Sequence, residues 1–197
     1  MRYVFVFMLM IAGAILASCG SPIGPSPAYI ENRVDTVHMY ALSGTPVSLP
    51  SGYVILLRGV VRTDVYPVFD FAFDIDNAGR ALLLPTGAIK MGRQSGLQVV
   101  NTPFDSIHTA VVTNYNRDSA TVVHENDVVL AHSIPQTGCS YAPTVPVAYY
   151  AKMHILTIDT ASTVDTTTGL SGRRVDFEIL ADINCGYRGL DPGLPKH

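Results

Sequence analysis

The chain has no tryptophan, only three cysteines among 197 residues, and charged side chains at just 15%. Without an indole there is no wide flat platform on which sugar rings stack, which disfavours a carbohydrate-binding role. Lys and Arg number 13 against 16 Asp and Glu, for a formal charge of −3. That balance leaves no electrostatic footprint for DNA, RNA or an anionic lipid surface. Arg33, Arg58, Arg62, Arg80 and Arg117 are scattered, and the one adjacent pair, Arg173-Arg174, falls at a predicted strand start, so these residues read as solvated faces.

Catalytic signatures are scarce as well. A Gly-x-Ser-x-Gly elbow, a Rossmann glycine fingerprint and a Walker loop are all missing, so neither a hydrolase of that type nor a nucleotide cofactor is indicated. His38, His108, His124, His132 and His154 include no two at i, i+2 or i+4, the spacings that bring imidazoles together on one element. If residues 125–127 turned a hairpin, His124 and His132 would face one another, with Glu125 beside them; in an all-β domain such a pair reads first as polar residues on a surface, and no metal is assigned. Asp74-Ile75-Asp76-Asn77-Ala78-Gly79 opens like a calcium loop, but Ala78 stands at the fifth position and Pro85 at the twelfth, where oxygen ligands are required. It reads better as a hairpin turn, because Asn and Gly accept positive φ. The carboxylates of Asp74 with Asp76, and of Asp176 with Glu178, are two apart on strands and share a face, as a solvated face does too.

What the chain does have begins at its N-terminus. Met1-Arg2 precedes an apolar stretch from Tyr3 to Ile15, then Leu16-Ala17-Ser18-Cys19 and Gly20-Ser21. A positive start, a short apolar core and small residues before a cut are the order of a signal peptide. The apolar run is marginal for a spanning helix, which takes about 20 residues. Leu16 to Cys19 resembles the lipobox of bacterial lipoproteins processed by the lipoprotein signal peptidase, a resemblance confined to the first twenty residues. It implies removal of residues 1–18 and acyl chains, palmitate among them, on Cys19. It further implies an exported location, periplasm-facing or at the cell surface. Gly20 stands where an Asp commonly retains such proteins in the inner membrane, so the resemblance favours the outer membrane in an organism that has one.

The remainder is one ordinary domain's length. Residues 19–30 form a lipidated Cys and tether, Gly20 to Pro27 being rich in Gly, Ser and Pro and suited to extended geometry. Residues 31–197 form a single domain. With Cys19 assigned to lipid, Cys139 and Cys185 make an even pair in an exported chain, and a disulfide is the favoured assignment over free thiols or a metal site. Closing that loop stabilises by about 4 kcal/mol in the chain-entropy model.

From Val34 onward, short runs of Val, Ile, Tyr, Phe and Thr alternate with Gly, Pro, Asn and Asp, and no convincing helical period occurs. The expected strands are 34–42, 53–62, 68–74, 80–84, 97–101, 108–114, 120–124, 128–132, 148–159 and 173–184. The clearest is the last, where Val175, Phe177, Ile179, Ala181 and Ile183 alternate with polar neighbours. Thr160–Gly172 is expected as a long hairpin loop, and Asn116–Ser119 as a tight turn. The fold class is therefore an antiparallel β-sandwich of about ten strands, Ig-like or an open-barrel variant.

Tyr141, Tyr149, Tyr150 and Tyr187 flank the two cysteines and could form an amphipathic patch for protein contact, although packing of loops explains them as well. The function expected is a membrane-anchored, non-enzymatic binding or structural part of the envelope, with a protein partner there, in one version an extrinsic subunit that stabilises an integral-membrane complex. The alternative is a hydrolase with a site built from dispersed loop residues, for which His124, His132, Asp74 and Asp76 are the first suspects.

Overall fold

A computed structural model of the chain describes residues 25–92, 94–140, 142–167 and 169–196. The signal segment, Cys19, Gly20 to Gly24 and Tyr141 lie outside the described residues. Ten strands form two antiparallel sheets of five. They are β1 (Val34–Tyr40), β2 (Gly52–Val54), β3 (Gly59–Val61), β4 (Phe71–Ile75), β5 (Ala81–Pro85), β6 (Gly96–Val100), β7 (Thr121–Val123), β8 (Val128–His132), β9 (Tyr150–Val164) and β10 (Ser171–Asp182). The first sheet runs β1-β10-β9-β8-β6 and the second β3-β2-β4-β5-β7. The two sheets face one another as a β-sandwich, as the strand pattern predicted.

Alternation in β10 puts Val175, Phe177, Ile179 and Ala181 into the core between the sheets, where all are at most 2% exposed. Across from them lie Tyr53, Phe71 and Phe73 of the second sheet. The Tyr53 and Phe71 rings stack at 5.3 Å, and Phe177 meets Tyr53 edge-on at 6.0 Å, the offset and edge arrangements that ring quadrupoles favour. β8 is buried along its whole length because the first sheet is covered on its outer side too. There Phe104, Ile107, Ala110 and Leu190 pack on Val128, Leu130 and Leu180.

Several expected strands differ in detail. Residues 53–62 are two short strands, β2 and β3, joined by a turn in which Arg58 takes φ 50° and its amide reaches the Ile55 carbonyl at 3.0 Å. Residues 108–114 are not a strand: they bond to the C-terminal segment through Ala110 to Arg188 and Leu190 to His108, as part of the outer cover. The β9–β10 hairpin loop is shorter than expected, since pairing continues to Val164 and Ser171. The β4–β5 hairpin is as expected, with Gly79 at φ 77° and the Asp76 carboxylate accepting the Ala78 and Arg80 amides. Asn116 likewise closes its turn onto Ser119.

The hydrogen bonds define two opposite ends of the sandwich. At one, β10 terminates at Asp182, next to the β2–β3 turn, whose Arg58 donates to the Ala181 carbonyl. At the other, β10 begins, Arg173 bonds Ser43, and Ser43 bonds Asp74 just before the β4–β5 turn.

Candidate functional site

Residues 26–30 strap the chain onto the first of these ends. Asn184, just past β10, accepts the Tyr29 and Ile30 amides at 3.1 and 3.0 Å through Oδ1 and donates to the Ile30 carbonyl at 2.7 Å through Nδ2. The buried Tyr187 hydroxyl accepts the Ala28 amide at 3.0 Å and donates to the Ser26 carbonyl at 3.2 Å. Arg58 donates to the Glu31 carbonyl. The Asn184 side chain is itself held by Asp182, whose burial keeps its carboxyl above the usual carboxylate range. The part of the tether that is described is therefore fastened to the domain.

Beside the strap, Cys139 and Cys185 form the expected disulfide, with Cα atoms 5.8 Å apart. It joins the loop between β8 and β9 to the segment after β10, the two pieces of chain that flank the strap. Between them opens a cleft of about 300 Å³ lined by Tyr29, Ile30, Leu56, Tyr149, Ile183 and the disulfide. Tyr29 is 81% exposed, and Leu56 and Leu57, at the tip of the β2–β3 turn, are 40% and 57% exposed.

The residues that line the cleft are uncharged, and Arg58, Glu31 and Asp182 stand at its borders. Residues 25–30, 51–57 and 133–151 carry no Asp, Glu, Lys or Arg. In contrast, the opposite end of the sandwich carries Asp74, Asp76, Arg80, Asp127, Asp165 and Arg173.

Of the tyrosines expected to gather at the bridge, Tyr141 lies outside the described residues, and among the described ones Tyr149 lines the cleft. Tyr187 is used to hold the strap. Tyr150, one residue along β9 and so on the other face, packs 6.4 Å from the rings of Tyr115 and His132. Tyr29 supplies the aromatic exposure that sequence reasoning assigned to the others.

The histidines and carboxylates are dispersed. His124 and His132 do not face one another, because β7 and β8 belong to different sheets and residues 124–127 cross between them. His124 is exposed beside Asp127 at 3.3 Å. His132 is buried: its Nδ1 donates to the Ser133 carbonyl at 2.9 Å, and burial holds its pKa below the ordinary value. Asp74 accepts the Ser43 amide and hydroxyl, and Asp76 pairs with Arg80 at 2.7 Å. A shallow pocket of about 530 Å³ holds His124 and Glu125 but none of His132, Asp74 or Asp76. His38 with Asp176 and His154 with Glu178 are cross-strand neighbours in register, each 2.9 Å apart, and His108 meets Asp191 at 2.7 Å. Among the described residues no three His, Cys, Asp or Glu side chains are grouped to hold a metal ion.

No protein-family model matches the chain, and no curated protein matches it.

Proposed function

We propose that the chain is an exported bacterial lipoprotein, attached by acyl chains on Cys19, whose sandwich has a non-enzymatic binding or structural role in the cell envelope. In this reading it is an extrinsic subunit that steadies an integral-membrane complex from the exported side, with Gly20 favouring the outer membrane in an organism that has one. The observation that carries the reading is the uncharged, tyrosine-bearing cleft where the chain arriving from Cys19 joins the domain. Anchor and binding surface then share one end of the molecule. The disulfide suits an oxidising compartment. Against the hydrolase reading, the pocket at His124 contains none of the other three suspects.

Crosslinking in native membranes followed by co-purification tests the subunit role. A specific integral-membrane protein should be recovered with the wild-type chain, and recovery of none from gently solubilised membranes would refute it. Fractionation of a Cys19→Ala variant tests attachment separately: it should leave the membrane under a salt wash that retains the wild type.

A further inference from the structure

We infer that the strap end of the sandwich faces the bilayer, and that Tyr29, Leu56, Leu57 and Val145 seat in its headgroup layer. The inference rests on the lipid-anchor reading and adds an orientation and a contact surface to it.

Reach limits where the anchor can be. Six residue steps separate Cys19 from Pro25, and at no more than about 3.6 Å per residue they can span at most about 22 Å. Ser26 is already bonded to Ser140, next to the disulfide. The acyl chains therefore enter the membrane within about 22 Å of this end.

The side chains that project from the end suit that surface. A β-turn tip ordinarily carries Gly, Asn, Asp or Ser, yet the turn after β2 presents two exposed leucines. Exposed with them are Tyr29 and Val145, the latter 56% exposed in the loop that carries Cys139. Tyr suits the interface, with an apolar ring and a hydroxyl that stays wet. Leucine and valine gain by leaving water, at roughly 25 cal/mol per Å² of apolar surface.

Charge distribution gives the orientation. Segments 25–30, 51–57 and 133–151 carry no ionised side chain; Glu31 and Arg58 border them, with the Arg58 guanidinium already bonded to the Glu31 and Ala181 carbonyls, while the charged turns lie at the far end. With no basic cluster present, contact depends on apolar burial and not on anionic headgroups. It is accordingly insensitive to salt.

The missing tryptophan makes a direct test available. Leu57→Trp and Val145→Trp place single indoles at the strap end, and Ala78→Trp places one at the exposed β4–β5 turn at the far end. Each full-length, lipidated variant is reconstituted into protein-free zwitterionic vesicles with brominated acyl chains. Emission from the indoles at positions 57 and 145 should fall at least about twofold relative to unbrominated vesicles, with that from position 78 unchanged, at low and high salt alike. Chains that float with the vesicles while all three indoles stay unquenched and open to iodide would overturn the docking and leave the anchor standing. That outcome would also follow if a protein partner, and not lipid, covers this end. Chains that fail to float would overturn the anchor reading and the docking with it.

Discussion

Asp70 Oδ1 accepts the Ile134 amide at 2.8 Å, tying the approach to β4 in the second sheet to the segment that follows β8 in the first. Its other oxygen accepts the Ile55 amide at 2.7 Å, and its main-chain carbonyl accepts the Ser95 hydroxyl. The residue is 4% exposed, so one buried carboxylate joins both layers close to the strap end.

Burial pushes the Asp70 carboxyl up to about 6, against the opposing pull of the two amide bonds. A raised folded-state pKa means that the native state binds the proton more tightly. The Asp70 contribution is thus fully present below about pH 4 and lost as pH rises through about 6, by about 2 to 3 kcal/mol. Asp70→Asn must turn its amide NH2 toward one of two N–H groups and should cost about 1–3 kcal/mol at pH 5. Urea titrations across pH should show the gap between wild type and variant narrowing through pH 6; a constant gap would mean that Asp70 does not titrate there.

His132 acts in the opposite sense. Its depressed pKa means that the unfolded chain takes the proton first, so stability is present above about 6.5 and lost as pH falls. His132 Nε2 lies close against Gly96, where an added Cβ would stand 2.5 Å from it and 2.7 Å from the Tyr115 Cβ. Gly96→Ala should destabilise by about 1–3 kcal/mol, and by less in a His132→Ala background. Equal costs in both backgrounds would remove His132 as the obstacle.

Lys152, 2% exposed, donates to the Phe104 and Ile107 carbonyls at 2.9 and 3.0 Å and lies 4.5 Å over the Phe104 ring. It pins the outer cover to β9. Lys152→Met keeps the apolar stem but orphans both carbonyls, which should cost about 1–3 kcal/mol. Hydrogen exchange should show the loss as faster exchange at Ile107 and Ala110 before the sandwich core responds.

Removing the disulfide with Cys139→Ser and Cys185→Ser together should lower unfolding free energy by about 4 kcal/mol, and reductant should shift the wild type alike. Alkylation of Cys139 in unreduced protein would contradict the bridge.

Sequence pattern carried the local features and missed the long-range ones. The alternation of β10, the Asp76–Gly79 turn and the cysteine pairing each depend on residue types at short spacing or on simple parity, and each is found as read. The break at residues 55–58 was hidden because Leu56 and Leu57 are not turn residues; Arg58, assigned to a solvated face, makes that turn by reaching the Glu31 and Ala181 carbonyls. A hairpin at residues 125–127 would bring His124 and His132 together, but the chain changes sheets there, a crossing that local spacing does not signal. Asp70 and Lys152 carry no local signal, since their partners are distant in sequence. The uncharged cleft was visible as stretches such as 133–151 without Asp, Glu, Lys or Arg, but only the fold brings those stretches together.

The proposed role requires Cys19 to be the lipid-bearing first residue of the mature chain. Mass spectrometry of the N-terminal peptide from membrane-extracted protein tests it most directly. The peptide should begin at Cys19 and carry the mass of its acyl chains. A peptide that retains residues 1–18, or one that contains Cys19 without acyl mass, would contradict it.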